Sequence, residues 1–585
     1  MCGIAGVIGS PRYTADDVAR MIECISYRGP DEQDVVEIGP ALLGHARLAV
    51  VDPENGGQPM SNTDDTVWVV FNGEIYNFIE LREDLKSKGY KFKSRCDTEV
   101  LVHLWREKGP AMLEDLIGMF AFCLWDTKEN RGMLARDRQG IKPCYLMDLP
   151  EGGFAFASEI KSILSLPGVE PVIDDVGLNL MHSFNYCPPP RTCYKGITHL
   201  APGTWLELRP DGSRTAHSWW SWPLSTENET MSHDAFGELL DDAIRLQMRF
   251  DVKGCLFLSG GVDSSVIASH LHRRWNEPRM LAFGLDCREE GYGEFHLARQ
   301  VASQFDMIDL EPLTYDNSIV PENIDAVLHH ADQPHGDFSF FLIRKLCQAA
   351  HNAGVIVAFN GDGPDEVLSG FSHNQAFFAS RTRTNFPLTD YFSRICFMPE
   401  ASRQRVLTPD FQATMATPID VFEEILAPWR HLEPVNQIAA YECTSLSPGN
   451  NLIKTDRMGA GQSIEGRSPF MDHRISEAFA RMPLQDKIRD GVSKYFLKDY
   501  GLRHYGRDLM FRQKSMPTMP IGEWIKGPLK GWAEDTIATL DPGRYNVSGA
   551  QQMLADHIAE KANHTRELRT LLMTARWMQN LSAAG

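Results

Sequence analysis

The sequence predicts two domains in series: an α+β domain of many short strands, then an α/β domain on a parallel sheet. Three observations carry this. The apolar run Cys255–Leu258 breaks at Ser259-Gly260-Gly261 and resumes with helix formers from Val266 to Leu271, a strand, glycine turn and helix in succession. Val355-Ile356-Val357-Ala358-Phe359 is a continuous apolar run, as a central strand of a parallel sheet should be. Up to about residue 210 the pattern is instead short strands and turns.

Composition narrows the function. With 585 residues, 43% hydrophobic and 23% charged, the chain reads as a soluble globular protein of at least two domains. A net charge of −20 argues against nucleic acid as a main partner. Twelve scattered cysteines with no Cys-x-x-Cys pair fit reduced thiols and a cytoplasmic location. Neither a signal peptide nor a membrane span is expected from the first residues or from any long apolar run.

In chain order, Cys2 comes first. If Met1 is removed, Cys2 carries both a thiol and an α-amine, so one residue supplies nucleophile and base. Val18, Met21, Ile22 and Ile25 have helical spacing and stop at Tyr27-Arg28-Gly29-Pro30-Asp31. His45-Ala46-Arg47-Leu48 leads to Asp52, and Trp68–Phe71 reads as a strand ending at Asn72-Gly73-Glu74-Ile75-Tyr76-Asn77. Asp97-Thr98-Glu99 opens a helix with Leu101, Leu104 and Trp105, and Met119–Trp125 is a buried strand. Arg136-Asp137, Gly140-Ile141-Lys142-Pro143 and Ala157-Ser158-Glu159-Ile160-Lys161 complete the series. Alone, each has a plainer reading: Asn-Gly is a common hairpin turn, and Arg47 or Asp97 could be surface charges.

Taken in order, these motifs resemble the glutaminase domain of class II glutamine amidotransferases. The resemblance implies an N-terminal-nucleophile fold, an αββα sandwich of two antiparallel sheets between helical layers. It makes Cys2 the nucleophile on the glutamine amide and Asn72 with Gly73 the oxyanion hole. Arg47 would hold the glutamine α-carboxylate, and Glu74 and Asp97 its α-ammonium.

Pro188-Pro189-Pro190, the stretch Trp219–Pro223 and the polar run Thr226–Met231 suggest the junction, giving domains 1–215 and 232–585 with a linker 216–231. A helix with Phe236, Leu239, Leu240 and Ala243 on one side then leads into the glycine turn. Backbone N–H groups of the Ser259-Gly260-Gly261 turn that follows Leu258, with the hydroxyls of Ser259, Ser264 and Ser265, suit an anion, and Asp263 offers a hard oxygen to Mg²⁺. No Walker lysine follows, so this is a different phosphate cradle. It resembles the S-G-G-x-D-S loop of ATP pyrophosphatases, which cleave ATP to AMP and pyrophosphate and adenylate a substrate. In such folds Phe283, on the strand Met280–Leu285, lines the adenine pocket.

Asn360-Gly361-Asp362-Gly363-Pro364-Asp365-Glu366 follows the second apolar run. It resembles the S-G-[ED]-G-x-D-E segment of asparagine synthetases, with Asn360 and Pro364 as departures. Ligands sit beyond the carboxyl ends of parallel strands, so Asp362 and Asp365 should face the same cleft as Asp263. The resemblance assigns Asp263 and Asp365 to the metal, Gly361 to the nucleotide, and Asp362 to the neighbourhood of the reacting acyl group.

Further matches to that family are Asn451–Met458, Ser463–Asp472 with Gly459-Ala460 where Ser-Met is usual, Ser493–Lys498 and Arg512-Gln513-Lys514. Asp332-Gln333-Pro334 resembles its D-x-P turn, and Glu465 with Arg467 reads as a buried scaffold pair. Lys494 would put a cation on the α-phosphate. The tail beyond about residue 530 reads as helical and amphipathic, with no chemistry assigned.

The resemblance therefore implies ATP, Mg²⁺, glutamine and a carboxylate acceptor, with ammonia passing between two sites. Three readings compete: amidation of aspartate, amidation of another carboxylate in a metabolite or peptide, and a silent scaffold. A homodimer is compatible with the sequence but not argued from it.

Overall fold

The computed structural model describes residues 1–225, 229–379, 387–415, 417–512 and 519–584. Two six-stranded antiparallel sheets form the first half. One runs, edge to edge, Ile197–His199, Tyr145–Asp148, Phe154–Ala157, Gly3–Ile8, Ala41–Arg47, Glu32–Ile38. The other runs Arg214–Ser218, Thr204–Leu208, Arg131–Arg136, Gly118–Asp126, Val67–Ile75, Met60–Ser61.

Strand alternation makes the layers. Ile4 and Ile8 point into the space between the sheets, against Val70, Cys123, Trp125 and Leu134. Ala5 and Val7 point the other way, onto Val18, Met21 and Ile22 of helix Ala15–Glu23. Thr14 starts that helix by a reciprocal bond with Asp17, whose carboxylate accepts from Thr14 N at 2.8 Å. On the far side, Val69 and Phe71 meet Leu101, Leu104 and Trp105 of helix Glu99–Lys108. The expected αββα sandwich is present.

The second half is built on a five-stranded parallel sheet with the order Ile308–Tyr315, Met280–Cys287, Gly254–Phe257, Val357–Phe359, Glu465–Arg467. The chain starts at the middle strand, builds to one edge, then returns to build the other. The order therefore reverses between Gly254–Phe257 and Val357–Phe359, where the carboxyl ends of neighbouring strands leave an open crevice. The glycine turn after Phe257 and the acidic loop after Phe359 both emerge there.

The two halves share cores. Val69 and Leu101 belong to one apolar cluster with Leu256 and Val266, and Met21 and Ile160 to another with Val327 and Leu571. Pro188–Pro190 lies before the last three strands of the first half, and Tyr186 just ahead of it packs on the second. Its hydroxyl bonds Ser445 Oγ at 2.9 Å, on a π-helix, Glu442–Asn451. All twelve cysteines are free. Among the described residues, no helix is long and apolar enough to cross a membrane.

Candidate active site

Strand pairing sets the first centre. Gly3 lies opposite Ala46, which brings Cys2 beside Leu48. Leu48 N donates to Cys2 Sγ at 3.4 Å, and the thiol reaches Leu48 O at 3.7 Å. Burial pushes the thiol up, so a thiolate needs a base at hand. The same burial lowers the chain's first amine, on Met1, to about 6.

Asn72 and Gly73 do not end their strand. Val67–Ile75 runs straight through them, Asn72 opposite Ala121 and Gly73 opposite Phe120. Asn-Gly signals a hairpin only where the chain reverses. Here glycine serves close approach: at Gly73, φ is 150° and a Cβ would lie 2.0 Å from Met119 O. Both polar atoms of the Asn72 side chain are buried without a partner among the described residues. Such orphans cost about 1–3 kcal/mol each, which fits a donor kept for a ligand's oxyanion.

The glutamine-binding candidates surround this point with different engagements. Arg47 donates to Pro53 O and Asp52 O, both at 2.9 Å, and holds the loop that follows its strand. Asp97 accepts from Ile75 N at 2.8 Å, and burial raises its carboxyl. Glu74 turns to the second half, its Oε2 3.2 Å from Arg467 Nη2. Burial and the nearby Glu465 raise its carboxyl despite that guanidinium. Arg467 Nε also donates to Glu465 Oε1 at 2.8 Å, the scaffold pair read from the sequence.

The second centre sits in the crevice. At Gly260, φ is 72° and a Cβ would lie 2.5 Å from the Leu297 carbonyl carbon, so only glycine fits the turn. Ser259 Oγ bonds Ser264 Oγ at 3.0 Å and accepts from Gly261 N at 3.2 Å. Leu258 N donates to Phe283 O at 2.9 Å, tying the turn to the neighbouring strand, where Phe283 is buried. A Cβ on Gly361 would stand 2.9 Å from Ser264 N, so the two loops touch backbone to backbone.

Lys494 joins the acidic groups. Its Nζ lies 2.6 Å from Asp263 Oδ2 and 2.6 Å from Asp365 Oδ1, and these carboxylates raise the ammonium's pKa against the effect of burial. Asp263 Oδ1 is buried with no hydrogen-bond partner among the described residues. No cluster of three or more potential metal-ligating side chains occurs among the described residues. Two neighbouring carboxylates, with Asp263 Oδ1 unpartnered, suit Mg²⁺ carried on phosphates, which needs only one or two protein ligands.

Asp362 accepts from Thr455 Oγ1 at 2.9 Å, and burial raises its carboxyl. The departures from the family pattern have local reasons. Asn360 Oδ1 accepts from Asp362 N at 3.1 Å, and Pro364 opens the short helix Pro364–Val367, where a missing N–H costs nothing. At Gly459 a Cβ would stand 2.9 Å from Ile464 O, so the backbone packs there without a side chain.

A cavity of about 40 Å³ connects the halves, lined by Met1, Met119 and Lys142 on one side and Asp362, Thr455 and Met471 on the other. A water needs roughly 10–15 Å³ by this measure, so a few small molecules fit.

Sequence reasoning assigned no role to a buried ionic network beside this cavity. Arg28 donates to Cys2 O (2.9 Å), Glu159 Oε1 (2.7 Å) and both oxygens of Asp456 (3.0 and 3.2 Å). Arg457 lies 2.9 Å from Glu159 and 3.2 Å from Asp332. Each residue stood inside a quoted motif, and that was the available signal. Of Arg512-Gln513-Lys514, Arg512 pairs with Glu294 at 3.1 Å, and the other two lie outside the described residues, as do Thr226, Glu227 and Asn228 of the polar run at the junction.

Residues 1–220 match the family model of the glutamine amidotransferase domain, and residues 235–579 that of asparagine synthase. The chain is 29% identical to asparagine synthetase [glutamine-hydrolyzing] 1 of Bacillus subtilis (strain 168), over 99% of this chain and 96% of that one. It is 30% identical to asparagine synthetase [glutamine-hydrolyzing] 3 of the same organism, over 92% of each. Amidase chry2 of Gibberella zeae is 27% identical over 90% of each. A glutamine amidotransferase domain followed in one chain by an asparagine synthase domain defines a glutamine-dependent carbon–nitrogen ligase. The chain belongs to the asparagine synthase family.

Proposed function

We propose that this enzyme converts aspartate to asparagine, with glutamine as nitrogen source and ATP as energy source. The observation that carries the reading is a cavity bounded both by Met1, next to Cys2, and by Asp362 at the synthetase crevice. Residues 1–218 act as the glutaminase, since strand Arg214–Ser218 carries its second sheet past the boundary expected at 215, residues 232–585 act as the synthetase, and the stretch between is the linker.

Loss of Met1 vacates part of the cavity and gives Cys2 a free amine. That amine takes the thiol proton, and the thiolate attacks the glutamine amide carbon. Asn72 Nδ2 and Gly73 N–H stabilise the oxyanion, Arg47 binds the α-carboxylate, and Glu74 and Asp97 bind the α-ammonium. Ammonia leaves, and water later cleaves the thioester.

In the crevice, Ser259, Gly260, Gly261, Ser264 and the backbone at Leu258 and Gly361 hold ATP, with Phe283 beside the adenine. Asp263 and Asp365 would hold Mg²⁺, which supplies charge neutralisation on the leaving pyrophosphate. The acceptor carboxylate attacks the α-phosphorus, a carboxyl–phosphorus bond forms, and the α–β bond breaks. Lys494 offsets the charge developing on the α-phosphate. Ammonia crosses the cavity, attacks the acyl carbon next to Asp362, and AMP leaves. The location is cytoplasmic.

The likeness to a protein named an amidase supports a second reading, amidation of a different carboxylate. Cys2→Ala tests the two-site scheme. It abolishes glutamine-dependent product and retains ammonium-dependent product; loss of both by a folded variant contradicts it.

A further inference from the structure

Beside Asp362 lies a charged cluster that the scheme above does not use. Three distant elements build it. Asp337 precedes helix Ser339–Asn352, Lys454 lies in helix Leu452–Ala460, and Arg569 comes from helix Thr565–Ala584 in the tail. Lys454 Nζ and Asn450 Nδ2 each lie 3.1 Å from Asp337 Oδ2, and Ser339 donates to Oδ1 from N at 3.0 Å and from Oγ at 2.6 Å. Arg569 donates from Nε to Gly336 O at 2.8 Å, and its Nη2 stands 3.9 Å from Asp337 Oδ1.

Two observations separate this cluster from a structural ion pair. The first is its openness: the side chains of Lys454, Asp337 and Arg569 are 16%, 17% and 21% exposed. Those of the buried pair Arg28 and Glu159 are 0% and 1% exposed. The second is its position. Thr455, the residue after Lys454, donates to Asp362, and Lys454 itself lowers the Asp362 carboxyl electrostatically. Asn451, next to Asn450, donates to Glu366 Oε1 at 2.8 Å, one residue from Asp365. Asn450 and Asn451 end the π-helix, a geometry frequent at functional sites.

We propose that Asp337, Lys454 and Arg569 form the acceptor subsite and select an α-amino acid. The α-ammonium takes the place of Lys454 Nζ on Asp337, Lys454 turns with Arg569 to the α-carboxylate, and the side-chain carboxylate is left pointing toward Asp362 and the nucleotide. The proposal rests on the synthetase reading above. It narrows the acceptor: a dicarboxylate without an ammonium meets Asp337 as a like charge, and an amine without an α-carboxylate leaves two cations unused.

Amidation rates with aspartate, succinate (no ammonium) and 3-aminopropanoate (no α-carboxylate) test this, with melting temperature as the check on folding. Wild-type enzyme should favour aspartate over each analogue by about tenfold or more in kcat/KM, the effect of one charge-assisted hydrogen bond. Asp337→Asn should shrink the preference over succinate, and Lys454→Met the preference over 3-aminopropanoate. A general structural defect would lower all three rates together. Aspartate amidated with unchanged preferences in folded variants overturns the proposal alone, as does a wild type that uses aspartate and succinate equally. If no α-amino dicarboxylate yields AMP, the proposal and the aspartate reading fall together.

Discussion

Arg467 Nη2 stands 3.2 Å from Glu74 Oε2, so a candidate glutamine ligand is bonded to the edge strand of the synthetase sheet. Glu465, on the same strand, holds Arg467 Nε. Arg467→Met should leave two carboxylates buried and unpaired. The expected cost is about 3–5 kcal/mol, from the loss of one partner of a buried pair. Thermal unfolding measures it. Arg467→Lys, which keeps the charge but not the fork, should fall between, with a raised KM for glutamine.

Lys494→Met removes the cation shared by Asp263 and Asp365. AMP and pyrophosphate formation should fall about 10²–10³-fold, as on loss of a charge-stabilising donor. Glutamine hydrolysis at the other centre should continue. Retention of adenylation would remove Lys494 from the chemistry.

Gly73→Ala forces a Cβ to within 2.0 Å of Met119 O. The strand must shift, and the proposed oxyanion hole with it. Glutaminase activity should drop at least about 10²-fold while ammonium-dependent synthesis persists. Unchanged glutaminase kinetics would argue against Gly73 as a donor.

The Arg28 network predicts a pH dependence of stability. Asp456, beside Arg28 and Lys142, and Glu159, beside Arg457, Lys161 and Arg28, have carboxyls held below their ordinary values despite burial. A depressed carboxyl stabilises the fold above the unfolded pKa, about 4, and the contribution is lost as pH falls through the folded value. The melting temperatures of wild type and Asp456→Asn should therefore differ by a constant amount from pH 5 to 8. The gap should close below about pH 4. A gap that first opens in acid would contradict this.

What could be read from the sequence follows physical range. Ser259–Ser264 was legible because strand, turn and helix are contiguous, and each residue type has a local cause. Helix Glu99–Lys108 and strand Gly118–Asp126 were legible from their periods. Asn72-Gly73 misled because its local signal is a turn, whereas the constraint is Met119 across the sheet. The π-helix carries Pro448 and Gly449, which argue against any helix. Arg28–Asp456 and Asp337–Lys454–Arg569 join residues more than a hundred positions apart, and a charge has no period that names its partner.

The most direct test is one product assay with ATP, Mg²⁺, amide-¹⁵N glutamine and aspartate, following asparagine, AMP and pyrophosphate by mass spectrometry. Equal amounts of ¹⁵N-asparagine, AMP and pyrophosphate are the predicted result. Glutamate released without asparagine or AMP would contradict aspartate as the acceptor and leave only the first centre standing.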